Sequence, residues 1–378
     1  MAKKKSDSKV IMLEHSKAKV ELFQRYWSIY LSILNRVGFI SKLYLFDLFS
    51  GEGMYENGGK GSPIVAMEAI KNVYFANGKK CKDTEVTFND NGKSKIEPGT
   101  LKIDRIKSFV SKIFKPKNVK INFRNIDYGE IVKESISKLN SLKDSERALV
   151  FIDPWGYKEI YVKDIQDVLK NKKTELILFL PVSFMYRFAH KAFTEEEFPG
   201  GQPLKKLLES LFDNDIPKYD NVFQFINAMK KQFRAKVPVK YVDTFTIQRD
   251  NSNYFCLFFF TDNETGYEKM LSTKWKIDEQ HGNGFRIQDK NQLSLFGGTY
   301  YNSYPDDLKK LLTDKGALTN HNLRSFGLDQ GFLPRHTNEV LVSLKNKGLI
   351  EINSLDGGKA GNFYISDKKR LVEVKMKK

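Results

Sequence analysis

Cysteine is scarce in this sequence, and its scarcity excludes several kinds of protein. The 378 residues include only two cysteines, Cys81 and Cys256, which lie far apart. Two distant cysteines form neither the disulfide framework of a small secreted domain nor a thiolate zinc site. The five histidines show no metal-ligand spacing either. We therefore expect no bound metal and a reducing, cytoplasmic environment.

Long hydrophobic runs are also absent. A membrane-spanning helix needs about 20 apolar residues, and the longest apolar stretch, residues 176–186, is far shorter and contains Pro181. The apolar stretch at residues 10–13 stops at Glu14, which is too short for the core of a signal peptide. The sequence therefore predicts neither a membrane span nor an export signal.

Acidic residues are outnumbered by basic ones. Subtracting 46 Asp and Glu from 63 Lys and Arg leaves a formal net charge of +17, and the sequence pI is about 9.4. This excess favours a polyanionic partner, with nucleic acid as the first candidate. The chain is 40% hydrophobic and 13% aromatic, which is enough to bury a large core. We therefore expect a folded protein that binds nucleic acid.

Apolar strands alternate with helical periodicity before residue 187. Predicted strands cover residues 43–49, 85–88, 119–123, 148–152 and 176–180, and predicted helices cover residues 15–37, 64–71, 99–114 and 131–142. After a helical insertion at residues 187–238, two strands at 241–248 and 254–260 form a hairpin. Such alternation implies a mostly parallel sheet with right-handed crossovers. We predict an α/β fold with the Rossmann-like sheet of class I methyltransferases over residues 1–275, although other doubly wound folds share this order.

The remaining residues predict a small second domain. Residues 276–300 are polar and rich in Gly, Asn and Gln, which is typical of a linker. Three short helices follow at residues 305–312, 321–326 and 337–347, and two strands at 349–352 and 362–365 surround the turn at 356–358. Three helices and a hairpin predict a winged-helix domain over residues 301–378.

A loop rich in glycine follows the first predicted strand. Its sequence, Asp47-Leu-Phe49-Ser-Gly51-Glu-Gly53, resembles the S-adenosylmethionine loop of nucleic-acid methyltransferases. Glycines let a loop pass close to a ligand, and ligands bind at the carboxyl ends of parallel strands. We expect Asp90, after the second strand, to accept ribose hydroxyls, and Asp127, after the third, to contact adenine. Plain turns remain the alternative for all of these residues.

A second motif, Asp153-Pro154-Trp155-Gly156, ends the most apolar strand. It resembles the Asp-Pro-Pro-aromatic motif of amino-methyltransferases, in which the carboxylate and a carbonyl accept hydrogen bonds from an exocyclic amine. The aromatic ring stacks on an extruded base. In this chain Trp155 replaces the second proline. A turn with a packed tryptophan, and a ribose methyltransferase that uses lysine and aspartate, are the alternatives.

Three motifs in order resemble one family. The segment Glu14-His15-Ser-Lys17-Ala-Lys19, the loop at residues 47–53 and the motif at residues 151–156 are together similar to the three-Cys-motif partner protein family, TcmP. This resemblance covers roughly residues 10–300, and the C-terminal module resembles the winged helix often attached in that group. It implies a methyltransferase-like fold and a three-Cys-motif protein as a partner. The family more often has Phe where this chain has Trp155.

Two further features predict partners. Gln292-Leu293-Ser-Leu295-Phe296 resembles the pentapeptide by which bacterial DNA-handling proteins bind the replicative sliding clamp. The alternative is a linker strand that packs its own apolar side chains inward. Basic residues in the winged helix predict contact with phosphates or a major groove, and the alternatives are a solvated basic face or a protein-docking wing; these residues are Arg324, Arg335, Lys345 and Lys347.

Two functions follow from these patterns. The first is an S-adenosylmethionine-dependent methyltransferase acting on nucleic acid, with DNA favoured over RNA and a base amino group as the acceptor. In this hypothesis Asp153, Pro154 and Trp155 orient the acceptor, while Asp47, Phe49, Gly51 and Gly53 bind the cofactor. The second is a non-catalytic nucleic-acid-binding adaptor that acts with a three-Cys-motif partner. A module that binds only proteins is a third alternative.

Overall fold

The computed structural model describes residues 10–194, 201–213, 218–250, 252–278, 282, 284–285, 299–358 and 361–377. Two compact units are formed, with the boundary after Thr273. We call them the sheet unit, which also includes residues 284–285, and the C-terminal unit.

The sheet unit alternates strands and helices, as the sequence predicts. Its strands are β1 Lys42–Asp47, β2 Asp83–Asn89, β3 Val119–Arg124, β4 Glu146–Ile152, β5 Thr174–Leu180, β6 Tyr241–Gln248, β7 Tyr254–Thr261 and β8 Gly284–Phe285. Its helices are α1 Glu14–Leu34, α2 Ser62–Ala76, α3 Lys102–Val110, α4 Tyr128–Asn140, α5 Val162–Leu169, α6 Val182–Thr194, α7 Gly201–Phe212 and α8 Val222–Lys236. Helix α9, Glu264–Ile277, runs from this unit into the next.

The strands form one sheet in the order β3-β2-β1-β4-β5-β7-β6-β8. Strands β1 to β5 pair in parallel, while β7 is antiparallel to both β5 and β6. The two-residue β8 adds to the edge beside β6. This arrangement confirms the predicted α/β, class I methyltransferase-like sheet. Every residue of β5 is buried, because helices cover both faces of a parallel sheet.

The register of the sheet brings the loops after its strands together. Asp47, the last residue of β1, is level with Phe88 of β2 and Phe151 of β4. The parallel strands therefore all end at one side, which we call the carboxyl edge. The Leu48 N–H donates to the Phe151 carbonyl at 3.0 Å, so the pairing of β1 with β4 continues into the loops.

Helix α1 packs on one face of the sheet through aromatic side chains. The Phe23 ring stacks on Phe151 of β4, with centroids 4.5 Å apart. Nearer the end of the helix, the Tyr26 hydroxyl donates to the Glu175 carboxylate of β5. These contacts explain the helical spacing of apolar residues in this segment, since the buried stripe faces the sheet. The first turn of α1 consequently lies near the carboxyl edge.

The C-terminal unit has the predicted winged-helix fold. Its elements are α10 Thr299–Lys315, β9 Leu318–Thr319, α11 Asn320–Asp329, α12 Pro334–Asn346, β10 Ile350–Ser354 and β11 Val372–Met376. The three strands pair antiparallel in the order β10-β11-β9. Leu308, Leu323 and Leu341, one from each helix, lie fully buried in the core.

One predicted strand of the wing was wrong. Residues 362–365 were expected to pair with β10, but the partner is β11 at Val372–Met376. Phe363 and Ile365 are buried in the core of the winged helix instead. Alternation of apolar residues indicates that every second side chain is buried. A loop that folds back onto the core has the same pattern as a strand, so the pattern does not distinguish the two.

The predictions about the sliding clamp, a membrane span and a metal can be compared only with the described residues. The predicted clamp-binding residues Gln292, Leu293, Leu295 and Phe296 lie outside it. Within the described residues, no helix is both long and apolar enough to cross a membrane. The same residues contain no cluster of three or more His, Cys, Asp or Glu side chains that could hold a metal ion.

Candidate active site at the carboxyl edge

Asp47 lies fully buried at the end of β1. One carboxylate oxygen, Oδ2, accepts a hydrogen bond from the Ser62 hydroxyl at 2.7 Å, while Oδ1 has no hydrogen-bond partner among the described residues. Burial raises the pKa of Asp47 to about 7; the Ser62 hydrogen bond lowers it, and the nearby Asp153 raises it. A buried acceptor without a donor is costly. Asp47 is therefore suited to a ligand that brings a donor or a positive charge.

The glycine-rich loop that follows Asp47 contacts Asp90, the residue directly after β2. Gly51 has φ of +69°, and its N–H donates to Asp90 Oδ2 at 2.8 Å. A Cβ placed on Gly51 would meet no atom within 4 Å, so this backbone faces open space. Gly53, with φ of +74°, instead lies against Ile106, 3.1 Å from where its Cβ would be. Only Gly51 of the two leaves room for a ligand.

An ion pair inside the protein holds this loop. Glu52 and Arg105 are both buried, and the guanidinium lies 2.7 Å from the carboxylate. Arg105 also donates to the backbone carbonyls of Glu52 and Met54, at 3.0 and 3.2 Å. Because α3 supplies Arg105, the shape of the loop is fixed by a helix outside the motif. Removing one partner of such a pair would leave a buried charge uncompensated.

Asp90, the expected ribose acceptor, is already partly engaged. Its oxygens receive the N–H groups of Gly51 and Gly92, each at 2.8 Å, and the Lys102 ammonium lies 3.2 Å from Oδ1. A carboxylate can accept about four hydrogen bonds, so room for one further donor remains. Lys102 is itself buried and also lies 5.9 Å from the Trp155 ring centroid. The carboxylate could therefore bind a hydroxyl only alongside this lysine.

Asp127 and Phe49 make structural contacts. The Asp127 carboxylate caps helix α4 by accepting the Glu130 N–H at 3.0 Å, and its side chain is otherwise exposed. The Phe49 ring is half-buried and stacks on Tyr128 with centroids 5.3 Å apart. A cap and a stacked ring account for both residues without a ligand.

Asp153 forms an ion pair with a lysine of the N-terminal helix α1. The Lys19 ammonium donates to Asp153 Oδ2, and the two side chains are only 15% and 17% exposed. The same ammonium lies 4.5 Å from the centroid of the Phe179 ring. One turn earlier, His15 is buried and stacks on Phe255 at 5.5 Å. Burial, together with the charges of Lys19 and Arg249, lowers the pKa of His15 to about 4, so this imidazole is neutral near pH 7.

The two residues after Asp153 differ in exposure. Pro154 is buried, whereas Trp155 is 64% exposed. A tryptophan packed into a turn was the alternative to a stacking residue, and such a ring would be covered. The exposed face of Trp155 is compatible with stacking on a flat ligand.

Three residues at this edge were not singled out from the sequence as site residues. Lys19 was noted only as part of a family motif, and Lys102 not at all. Tyr55 is the third: burial, together with the neighbouring carboxylates of Asp153, Glu52 and Asp90, raises its pKa to about 12. Lysines are too numerous in this chain to select by type. Helical spacing that places Lys19 on the sheet-facing stripe of α1 was the available signal.

The predicted nucleic-acid contacts lie in different environments. Arg324 is buried, 7% exposed, and so does not belong to an exposed face. Arg335, at the start of α12, is exposed, with its Nε 3.1 Å from His336 Nε2. Lys345 is exposed and donates to the Gly361 carbonyl at 2.9 Å, and Lys347 is exposed just after the helix.

A cluster of hydrogen bonds closes the base of the wing between β10 and β11. The Arg370 Nε donates to Asp356 Oδ2 at 2.7 Å, and the Leu371 N–H donates to the same oxygen at 2.9 Å. The Arg370 guanidinium and the backbone donors hold the pKa of Asp356 well below its usual range. A Cβ on Gly358 would lie 2.3 Å from the Arg370 guanidinium, so an alanine at this position would require the arginine side chain to move.

Residues 276–357 match the GMT-like wHTH domain. The match begins in α9 and stops at Gly357, so Arg370 and β11 of the wing follow it. The matched segment includes helices α10 to α12, strand β10 and the exposed Arg335 and Lys345.

Comparisons over the longer chain are distant. The protein LPL1258 from Legionella pneumophila strain Philadelphia 1, of the DUF519 family model, is 15% identical, with a TM-score of 0.40 over 72% of this chain and 94% of that one. Loganic acid methyltransferase with SAH is 8% identical, with a TM-score of 0.28 over 96% of this chain and 94% of that one. No curated protein matches. The strand order, and not these similarities, carries the assignment of the fold.

Proposed function

We propose that this protein is an S-adenosylmethionine-dependent methyltransferase that acts on nucleic acid. The observation that carries the proposal is the grouping of three features at the carboxyl edge. Asp47 has a buried oxygen that receives no donor from the described residues, Gly51 faces open space in a left-handed conformation, and Asp153 follows the neighbouring strand. Ligands of open parallel sheets bind at this position.

The residues at this edge fit the cofactor in part. Asp47 would accept the amino group of S-adenosylmethionine, the backbone at Gly51 would lie against it, and the remaining acceptor site of Asp90 would take a ribose hydroxyl. When bound, the cofactor supplies an electrophilic methyl group. The open volume beside Gly51 and the unpartnered oxygen of Asp47 support this fit.

Asp153 and Trp155 would position the acceptor. Lys19 occupies Oδ2 of Asp153, which leaves Oδ1 to accept a hydrogen bond from a base amino group. Such a bond directs the nitrogen lone pair away from the carboxylate and toward the methyl group. The exposed Trp155 ring would stack on the same base after it leaves the helix. The neutral imidazole of His15 adds no charge that opposes a developing cation.

Nucleic acid is the favoured substrate because of charge and the second unit. The chain carries a formal charge of +17, and the GMT-like wHTH domain exposes Arg335 and Lys345. The clamp-like pentapeptide favours DNA over RNA. In this proposal, residues 1–275 form the catalytic domain, 276–300 the linker and 301–378 the winged helix. A three-Cys-motif protein remains the proposed partner from the resemblance to TcmP.

Tritiated methyl transfer to a panel of single- and double-stranded DNA and RNA tests this function. Asp153→Ala should abolish transfer while calorimetry shows nearly unchanged affinity for S-adenosylmethionine. Asp307→Ala, at an exposed aspartate of α10, is the control and should keep full activity. Equal transfer by wild type and Asp153→Ala would overturn the assignment of Asp153.

A specific observation also favours the non-catalytic adaptor. Two of the three acidic residues that the proposed site would use are already paired with lysines, Asp90 with Lys102 and Asp153 with Lys19. Such pairs would also stabilise a site that no longer turns over. Calorimetry separates the two functions, because an adaptor of this kind binds nucleic acid but shows no heat of binding with S-adenosylmethionine.

A further inference from the structure

A lysine–aromatic surface lies at the opposite edge of the sheet from the carboxyl edge. It consists of two loops, one between α2 and β2 and the other between α3 and β3, together with the end of α2. The loops surround a cavity of about 490 Å³. Its members are Tyr74, Phe75, Lys79, Lys80, Lys112, Phe114, Lys115 and Lys117. A strand of seven residues separates this surface from the candidate active site by about 20 Å.

Two aromatic rings on this surface face solvent. Phe75 is 46% exposed and Phe114 is 45% exposed. Their centroids are 5.1 Å apart, and the Tyr74 ring lies 5.4 and 5.6 Å from Phe75 and Phe114. Covering the exposed part of either ring removes apolar surface from water and is favourable, so this pair of rings is available to a partner.

The lysines around these rings have no acidic partners. Lys79, Lys80, Lys112, Lys115 and Lys117 are all exposed, and none forms an ion pair within the described residues. Lys115 does donate to the Val119 carbonyl at 2.7 Å, and Lys112 lies over the Phe109 ring at 5.4 Å. The cavity between the loops is lined by four lysines and by no acidic residue; Asp83, at the start of β2, is the nearby acidic side chain. The surface is therefore strongly cationic.

Hydrogen bonds between the two loops hold the surface in place. The Cys81 thiol donates to Asn118 Oδ1 at 3.2 Å, and Asn118 Nδ2 donates back to the Cys81 carbonyl at 2.8 Å. The Asn118 carbonyl also accepts the Thr84 N–H at 3.1 Å. A surface that is already ordered loses less entropy when a partner binds.

We propose that this lysine–aromatic surface binds a single-stranded segment of nucleic acid. Lysines that follow a backbone and exposed rings on which bases stack are the two elements of single-strand recognition. A duplex would satisfy the lysines but would leave Phe75 and Phe114 without bases, because its bases are stacked on each other. This binding goes beyond methyl transfer and does not depend on it.

Fluorescence anisotropy with labelled oligothymidylate, oligouridylate and a duplex, on the full chain without S-adenosylmethionine, tests the proposal. Phe114→Ala should weaken single-strand binding roughly 5- to 150-fold, which is the range for loss of one stacked base. Phe114→Tyr should keep wild-type affinity for single strands. Phe114→Leu should be about as weak as Phe114→Ala, since leucine keeps the apolar bulk without the ring face. Lys79→Gln/Lys117→Gln should reduce the slope of log affinity against log salt by about 1.4.

Lys231→Gln/Lys240→Gln provides the matched control. Both lysines are exposed, and they lie by α8 and β6, across the sheet from β2 and β3. This variant should bind the single strands as wild type does, and unchanged melting temperatures should show that all variants fold. Unchanged binding by Phe114→Ala, or an equal loss on the duplex, would overturn the proposal. Binding of the same variants to phosphatidylserine vesicles is measured alongside. If Phe114→Ala lost vesicle binding but kept oligonucleotide binding, the surface would serve a membrane and the proposal would be wrong. Failure of methyl transfer leaves this result unaffected.

Discussion

The Lys19 ammonium donates a hydrogen bond to Asp153 Oδ2, although 134 residues separate the two in sequence. Helix α1 carries the lysine and the loop after β4 carries the carboxylate. Because Phe23, one turn further along α1, stacks on Phe151 of β4, the helix cannot slide without breaking a core contact. The pair therefore fixes where the Asp153 carboxylate points, and it makes α1 part of the candidate site.

The first prediction concerns this lysine. Lys19→Ala should lower methyl transfer by about 100-fold, since a carboxylate displaced by about 1 Å can cost that much. Affinity for S-adenosylmethionine should remain within about twofold, because Asp47 and Gly51 are untouched. Single-turnover transfer and calorimetry measure the two effects. Lys17→Ala is the control: Lys17 lies half a turn away and pairs with Glu14 on the surface. Equal activity of both variants would contradict a positioning role for Lys19.

The second prediction uses two glycines with the same backbone conformation. Gly51 and Gly58 have φ of +69° and +76°, and a Cβ on either would meet no atom within 4 Å. Alanine should therefore cost roughly 1–2 kcal/mol of unfolding free energy at each position. Only Gly51→Ala should also weaken S-adenosylmethionine binding, by about tenfold, because its methyl group would occupy the ligand's space. Equal affinities in calorimetry would place the cofactor elsewhere.

The third prediction concerns the pH dependence of stability. Burial raises the pKa of both Asp47 and Glu175 to about 7, above the ordinary values of 3.8 and 4.5. A raised pKa means that the folded state holds a proton that the unfolded state has lost, so its stabilising effect is complete below pH 4 and disappears as the pH rises through about 7. Each group should therefore lower the unfolding free energy by about 1.4 kcal/mol per pH unit between about pH 5 and 6.5.

Urea unfolding at several pH values measures this slope. Asp47→Asn and Glu175→Gln should each remove about 1.4 kcal/mol per pH unit, and the double variant should remove both contributions. Asp307→Asn, at an exposed site, should leave the slope unchanged. A wild-type slope in Asp47→Asn would show that this carboxyl is ionised in the folded protein.

The fourth prediction tests the base of the wing. Gly358→Ala should displace the Arg370 guanidinium from Asp356, because the added Cβ would lie 2.3 Å from it. The melting temperature of the C-terminal unit should fall, and the loss should be smaller in high salt, where the wild-type ion pair is already screened. Gly361→Ala is the control, since no atom lies within 4 Å of its Cβ position. Equal melting temperatures for the two variants would show that the wing does not depend on this contact.

Much of the fold follows from local patterns. Strands such as β5 are buried on both sides and so read as continuous apolar runs, and turn residues mark where they end. The failure at residues 362–365 has the same physical origin. Phe363 and Ile365 alternate as a strand would, but they fill the core of the winged helix, and the hydrogen bonds of the sheet are made by Val372–Met376.

The sequence predicts some residues of the candidate site and not others. Glycines with positive φ are recognisable because the local backbone favours them, and the acidic residues are recognisable because they directly follow apolar strands. The lysines at the same edge cannot be chosen by residue type among 63 basic residues, and only the helical spacing of Lys19 in α1 offered a signal. Their roles depend on which helix packs against which strand.

The sequence by itself determined the α/β sheet order, the winged helix and the positions of the loop at residues 47–53 and of Asp153, because hydrophobic periodicity and backbone requirements are local. Only the tertiary structure decided that Lys19 pairs with Asp153, that Asp90 is shared with Lys102, and that Phe75 and Phe114 lie in contact among exposed lysines. These contacts join segments far apart in the chain, and ion pairs and exposed ring pairs leave no periodic trace in sequence.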